Sequence, residues 1–142
     1  MQLKIPQVLD NTTLTAFRQL SQEDGLFADG GTTAGWHARD HKRNQQAGPN
    51  KMLAGLLDKV ERELMAHPLI QAAARPKQIV NLLFSRYQPG MYYGSHVDDA
   101  LMQGQRTDVS FTLFISHPDS YRGGDLVLDE TGGEQWIKAN AG

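Results

Sequence analysis

The chain has 142 residues, with 14 basic against 16 acidic side chains, a formal charge of −2, 39% hydrophobic residues and no cysteine. That length is enough for one domain with a real core and short for two, and the near-neutral charge gives no footprint for a nucleic acid or an anionic membrane, leaving a small-molecule or peptidyl substrate. Disulfides, thiolate zinc sites and cysteine nucleophiles are excluded, so only His, Asp and Glu remain as metal ligands; with no apolar run of bilayer length and no basic-then-apolar start, a cytoplasmic protein is expected.

The first expected element is a short amphipathic helix over Thr12 to Glu23, where Leu14, Phe17 and Leu20 recur at spacing three behind Asp10 and Asn11 as N-cap candidates and before Gly25 as a stop. From Leu26 to Pro49 the pattern dissolves into Gly, Thr, Asp, Asn and Gln, read as extended pieces and polar loop. Asn50 then opens the clearest helix, with Leu53, Leu56, Leu57, Val60 and Leu64 on one stripe, ended or bent at Pro68. After Pro76 the residue types change, and strands are expected over Ile79 to Tyr87, Met91 to Val97, Val109 to Ile115, Asp125 to Leu128 and Gln135 to Lys138.

Helices followed by closely spaced short strands imply an α+β chain, a helical and loop part over about residues 1–76 packed on a sandwich or barrel over about 77–142, as one domain. Ala139-Asn140-Ala141-Gly142 reads as a turn that should introduce a further strand, so the last sheet edge is expected to be open.

The sharpest chemical feature is Tyr92-Tyr93-Gly94-Ser95-His96-Val97-Asp98. Strand alternation puts His96 and Asp98 on one face, where an imidazole and a carboxylate can take adjacent positions on one metal and a second imidazole would complete the facial triad of non-haem iron(II) oxygenases. Alone the triplet is a weak signal, because a strand-end His and Asp also cap turns.

Its surroundings are more specific. The run Phe84-Ser85-Arg86-Tyr87-Gln88-Pro89-Gly90-Met91 leading into His96-Val97-Asp98 resembles the prolyl-hydroxylase-like 2-oxoglutarate oxygenases. Downstream, Arg106-Thr107-Asp108-Val109-Ser110-Phe111-Thr112-Leu113-Phe114-Ile115-Ser116 and the block from Pro118 to Val127, with Asn44-Gln45-Gln46 upstream, are similar to the bacterial PKHD-type hydroxylases, so the resemblance spans nearly the whole chain.

The resemblance implies a double-stranded β-helix (jelly roll) around iron(II), 2-oxoglutarate as cosubstrate split to succinate and carbon dioxide, hydroxylation of an acceptor such as a peptidyl prolyl or lysyl group, and L-ascorbate as reductant. It places His96 and Asp98 as catalytic metal ligands and Tyr87 as the tyrosine whose hydroxyl approaches 2-oxoglutarate. Leu113 stands where some relatives carry a second cosubstrate-contacting tyrosine. Relatives continue beyond Ala141-Gly142 into strands bearing a distal iron-binding His and an Arg that pairs with the 2-oxoglutarate carboxylate; neither has a match here, so the chain is expected to be truncated and its own iron and cosubstrate binding weakened.

Other polar residues have plainer readings. His117 beside Pro118-Asp119 looks like an exposed turn, His37 and His41 like loop residues, and His67 before Pro68 like a side chain meeting free helix carbonyls. Arg86, Arg106 and Asp108 read as solvated strand neighbours and Trp36 and Trp136 as core; the resemblance implies that Asn44, Gln45 and Gln46 contact substrate, while as plain chemistry they read as polar loop. The competing functional reading is a non-catalytic jelly-roll module, or a fragment completed by a partner, that binds through its incomplete sheet, including a homodimer through the open edge. A hydrolytic metalloenzyme ranks below both, for want of a second cluster of ligands.

Overall fold

A computed structural model describes residues 2–33 and 39–142 of the chain. The first helix, α1, runs Asn11–Leu20 and is started by Asp10, whose carboxylate accepts from the Thr13 N–H at 2.7 Å. It buries Thr13, Leu14, Phe17 and Leu20 and closes at Ser21; Gly25 falls inside a following 3-10 turn, Asp24–Leu26. The second helix, α2, runs Lys51–Ala66, with the Asn50 side chain accepting from the N–H groups of Met52 and Leu53 at 2.9 and 3.0 Å. Pro68 ends α2 by opening a further helix, α3, Pro68–Ala73. His67 serves that restart: its Nδ1 accepts from the Leu69 N–H at 3.2 Å, so it caps a helix start instead of meeting free carbonyls.

The core forms where α1 and α2 face each other: Leu9, Leu14, Phe17, Leu20, Leu53, Val60 and Leu64, with Phe84, Leu113 and Ile115 packed against it. Each fully buried side chain of this size contributes about 1.5–3 kcal/mol. Lys59 ties the helices at the rim, its Nζ 2.6 Å from Asp10 and 2.7 Å from the Thr13 hydroxyl. Arg18 on α1 donates to the Ile115 carbonyl at 2.9 Å, and the Gly142 N–H donates to the Phe114 carbonyl at 2.9 Å, so the 111–115 segment is held to the helices through its backbone as well as its side chains.

The strands are short. One antiparallel sheet has the order β1–β3–β4, from Phe27–Asp29, Gln45–Ala47 and Ser85–Arg86. Three two-stranded ladders pair β2 (Lys42–Arg43) with β5 (Tyr92–Tyr93), β6 (Leu101–Met102) with β7 (Gln105–Arg106), and β8 (Leu126–Glu130) with β9 (Gly133–Ile137). The α+β class therefore stands. Within the expected strand from Ile79 to Tyr87 only Ser85–Arg86 pairs, and Val109 to Ile115 pairs with no described strand. β-rich composition favours extended backbone, but a strand also requires a neighbour to take its N–H and C=O groups.

The accessible surface is 10215 Å², against about 7300 Å² for a compact monomer of this mass. Much of the excess lies on the strand-rich half: Val97, Leu101, Val109, Phe111 and Trp136 are exposed. Trp136 is thus not core. In β8–β9 it sits on the open face opposite Val127, while Ile137 turns inward.

Candidate functional site

The segment from Lys42 to Gln46 is the floor of the site; Lys42–Arg43 and Gln45–Ala47 are strands instead of the loop their composition suggests, and Asn44 joins them. Lys42, Asn44 and Gln46 are buried on one face, with 6%, 3% and 6% exposure, while Arg43 and Gln45 lie on the other. Because every residue of Lys42-Arg43-Asn44-Gln45-Gln46 is polar, the alternation that marks a half-buried strand is invisible to a hydrophobicity pattern. Register then sets the partners. Lys42 pairs with Tyr93 and Gln46 with Ser85; continuing the β3–β4 register past Gln45–Arg86 brings Asn44 opposite Tyr87. Both tyrosines thereby stand over this buried polar stripe.

Gly30 makes room for Asn44. A Cβ on Gly30 would lie 2.0 Å from Asn44 Oδ1 and 3.1 Å from its backbone oxygen. The Gly30 N–H donates to the Asn44 carbonyl at 2.9 Å, holding the two backbones together. Glycine is required here by space, so Gly30 is a close-approach residue. Among the described residues neither amide atom of Asn44 has a hydrogen-bond partner of normal geometry, and both are buried. An amide so placed costs about 1–3 kcal/mol.

The electrostatics follow from burial. Desolvation pushes the Lys42 ammonium below its ordinary value, opposed by Asp29, and the ammonium lies 5.0 Å from the Tyr93 ring centroid. Partial burial raises the Tyr87 phenol, opposed by the neighbouring Asn44 amide, although 49% of the residue remains exposed. The Tyr93 phenol is raised first by burial and then by Asp98, Tyr87 and Asp99.

Tyr93 carries the next part of the site: the His96 ring stacks on it at 3.7 Å between centroids and 12° between planes. His96 Nδ1 lies 2.8 Å from the Gly94 carbonyl oxygen. A carbonyl can only accept, so Nδ1 carries a proton and, in the neutral ring, Nε2 presents a lone pair. That Nε2 is 3.3 Å from Asp98 Oδ1. A lone pair facing a carboxylate oxygen is repulsive unless a proton or a cation lies between them. Two donors about 2.1 Å from one ion and near a right angle are about 3 Å apart, so the pair fits two adjacent positions on a metal, with the Gly94 carbonyl as the outer contact that orients the ring. Among the described residues no group of three or more His, Asp or Glu is gathered to hold one.

The remaining candidates take other roles. His41 is exposed, but its carbonyl accepts from the Gly94 N–H at 2.7 Å and its Cβ would lie 3.1 Å from a Cβ on Gly94, fastening β2 beside the His96 segment. Arg86 is not a solvated edge residue: its side chain is 13% exposed and donates to Gln45 Oε1 at 2.8 Å and to the Ser21 carbonyl and Asp24 at 2.9 Å, over the Phe27 ring at 4.2 Å. It clamps β4 from the face opposite Tyr87. Arg106 and Asp108 form an exposed pair at 2.6 Å, and His117 caps the 3-10 turn Pro118–Ser120. Leu113 packs against the core, while His37 and Trp36 lie outside the described residues. A shallow groove lined by Phe27, Asp29, Asp40, Arg43, Gln45 and Met91 does not include His96 or Asp98.

No protein-family model matches the chain. Curated relatives do, along its full length: PKHD-type hydroxylases of Picosynechococcus at 47% identity, Parvibaculum lavamentivorans at 43% and Maricaulis maris at 46%. Each alignment covers 100% of this chain and 64–65% of the relative, so the chain spans just under two thirds of the length of the proteins it matches. At that identity, sustained from the first residue to the last, the chain belongs to the PKHD-type hydroxylases.

Proposed function

We propose that the chain carries part of an iron(II)- and 2-oxoglutarate-dependent hydroxylase site, in which His96 and Asp98 hold the metal and Tyr87 faces the cosubstrate. The observation that carries this reading is the His96–Asp98 pair: Nδ1 committed to the Gly94 carbonyl at 2.8 Å and Nε2 turned to Asp98 Oδ1 at 3.3 Å. The relatives' name, hydroxylase, supports the reaction class. Bound iron would supply the dioxygen chemistry that couples decarboxylation of 2-oxoglutarate to hydroxylation, with ascorbate restoring iron(II) after uncoupled turnover.

The chain's own residues have simpler tasks. Tyr93 fixes the His96 ring by stacking, Gly94 fixes its tautomer, and Asp98 offers a negative charge with 63% of its side chain open to solvent. Tyr87 presents a neutral phenol at neutral pH, able to donate to a carboxylate or oxo oxygen. Further ligands, the jelly-roll arrangement and a peptidyl prolyl or lysyl acceptor belong to the same proposal, as does a cytoplasmic location, in a chain whose described helices include none long and apolar enough to cross a membrane.

Anaerobic titration with iron(II) and 2-oxoglutarate tests the reading. A saturable visible charge-transfer band that disappears in His96→Ala is the expected result; a folded chain with no band would mean that these residues do not assemble the metal and cosubstrate site by themselves.

The open apolar surface favours a second reading, that the strand half is completed by a partner, including a second copy of the chain. Burial of Val97, Val109, Phe111 and Trp136 in a homodimer would be expected to show as a doubled mass in light scattering; a monomer at high concentration would reject the homodimer form of this reading.

A further inference from the structure

We propose that Asn44 is a positioning residue that fixes the Tyr87 hydroxyl for ligand binding, and that Gly30 is glycine in order to admit the Asn44 amide. The inference deepens the reading of Tyr87 as cosubstrate-facing and rests on it.

Three independent features of the geometry converge on Asn44. The ladder pairs Gln46–Ser85 and Gln45–Arg86 end one residue short of Asn44 and Tyr87, and continuing them brings the two residues together, in keeping with the effect of the Asn44 amide on the Tyr87 phenol. Cross-strand neighbours on one face lie within side-chain reach. Its amide is 3% exposed and both polar atoms lack partners among the described residues, which an ordinary structural asparagine avoids. Finally, the space over it is held open by Gly30, whose missing Cβ would stand 2.0 Å from Oδ1. A buried amide whose neighbouring polar group is a ligand-facing phenol is best accounted for by what it does to that phenol: its N–H can support the hydroxyl oxygen while the hydroxyl proton is directed to an incoming acceptor. The ligand class is therefore a small carboxylate or 2-oxo acid, bound by a phenol whose direction the amide sets.

Tyr87 is anchored from the other face by Arg86, which ties β4 to Gln45, Ser21 and Asp24. With the backbone held by Arg86, the remaining freedom is the side chain's, and Asn44 is the polar group opposite it. Lys42, farther along the stripe, faces Tyr93 instead.

The test uses the chain labelled with 3-fluorotyrosine, its four tyrosines resolved in the fluorine spectrum and Tyr87 assigned with Tyr87→Phe. Asn44→Ala is expected to move the Tyr87 resonance and to weaken 2-oxoglutarate in the anaerobic titration about tenfold, the loss of one oriented hydrogen bond, while leaving iron(II) affinity unchanged. Gly30→Ala, which keeps the amide but displaces it, is expected to move the same resonance. An unmoved Tyr87 signal in both folded variants would overturn the proposal and leave Asn44 as packing. If wild type shows no 2-oxoglutarate-dependent band, these residues do not assemble the cosubstrate site by themselves, and the fluorine signal still decides whether Asn44 sets Tyr87.

Discussion

Replacing Gly30 by alanine is a small change with a large expected effect, because the added methyl has one place to go. Its Cβ would lie 2.0 Å from Asn44 Oδ1, whereas real Cβ contacts essentially never fall below 3.0 Å, so the two groups must separate by 1.0 Å or more. Asn44 cannot yield freely: it is buried, and its carbonyl is held by the Gly30 N–H at 2.9 Å. Overpacking of this kind costs about 1–3 kcal/mol, and the tightness here argues for the upper half, about 2–3 kcal/mol. For a chain of this length that corresponds to a fall in Tm of about 5–10 °C. Urea denaturation of Gly30→Ala, Asn44→Ala and the double variant measures it as a cycle. With alanine at position 44 the obstructing amide is gone, so Gly30→Ala should become nearly neutral and the coupling should exceed about 1 kcal/mol. Additive effects would refute the claim that Gly30 exists to admit Asn44.

Asn44→Ala removes the buried amide without adding volume against Gly30, so it should lose less than about 2 kcal/mol in urea while impairing 2-oxoglutarate binding; a greater loss would mean the amide is held chiefly as a structural group. Arg86→Met should lower stability by about 2–3 kcal/mol, chiefly through the donors lost to the Ser21 carbonyl and Gln45, because the Asp24 partner is 87% exposed and its ion pair adds little. Spectrophotometric titration of the tyrosines should show Tyr87 ionising above pH 10, and higher still in Asn44→Ala; since the folded phenol is raised, its stabilisation is complete below pH 10 and is lost as pH rises through the folded value, so alkaline unfolding should be blunted in Tyr87→Phe. Asp10 gives the opposite sign: Lys59, the Thr13 N–H and the Thr13 hydroxyl hold its carboxyl well below the usual range, so its contribution is present above about pH 4 and fades as pH falls below it, and Asp10→Ala should flatten that acid limb in a melting series.

The helices were legible in the sequence because they rest on local rules. Leu14, Phe17 and Leu20 at helical spacing behind Asp10, and Leu53, Val60 and Leu64 behind Asn50, required only periodicity and a cap. His96 and Asp98 stood out as candidate donors by their spacing and the block before them; the structure brings them within 3.3 Å of each other although β5 ends at Tyr93, so strand alternation is not what places them together. The residues around that pair were not legible. Asn44 and Lys42 look like loop in a uniformly polar run, and Arg86 looks like a surface charge, until the folded chain buries the first two, with Lys42 paired to Tyr93 and the Asn44 amide beside the Tyr87 phenol, and sets the third to clamp β4. Strand extent was the other failure: Val109 to Ile115 has the composition of a strand, but pairing is a property of two segments, and here the segment docks on the helices through Leu113 and Ile115 instead. Local sequence determined the helices and their caps, since those depend on neighbours along the chain; tertiary structure decided which polar side chains are buried beside the tyrosines, since burial and register depend on segments that meet only when the chain is folded.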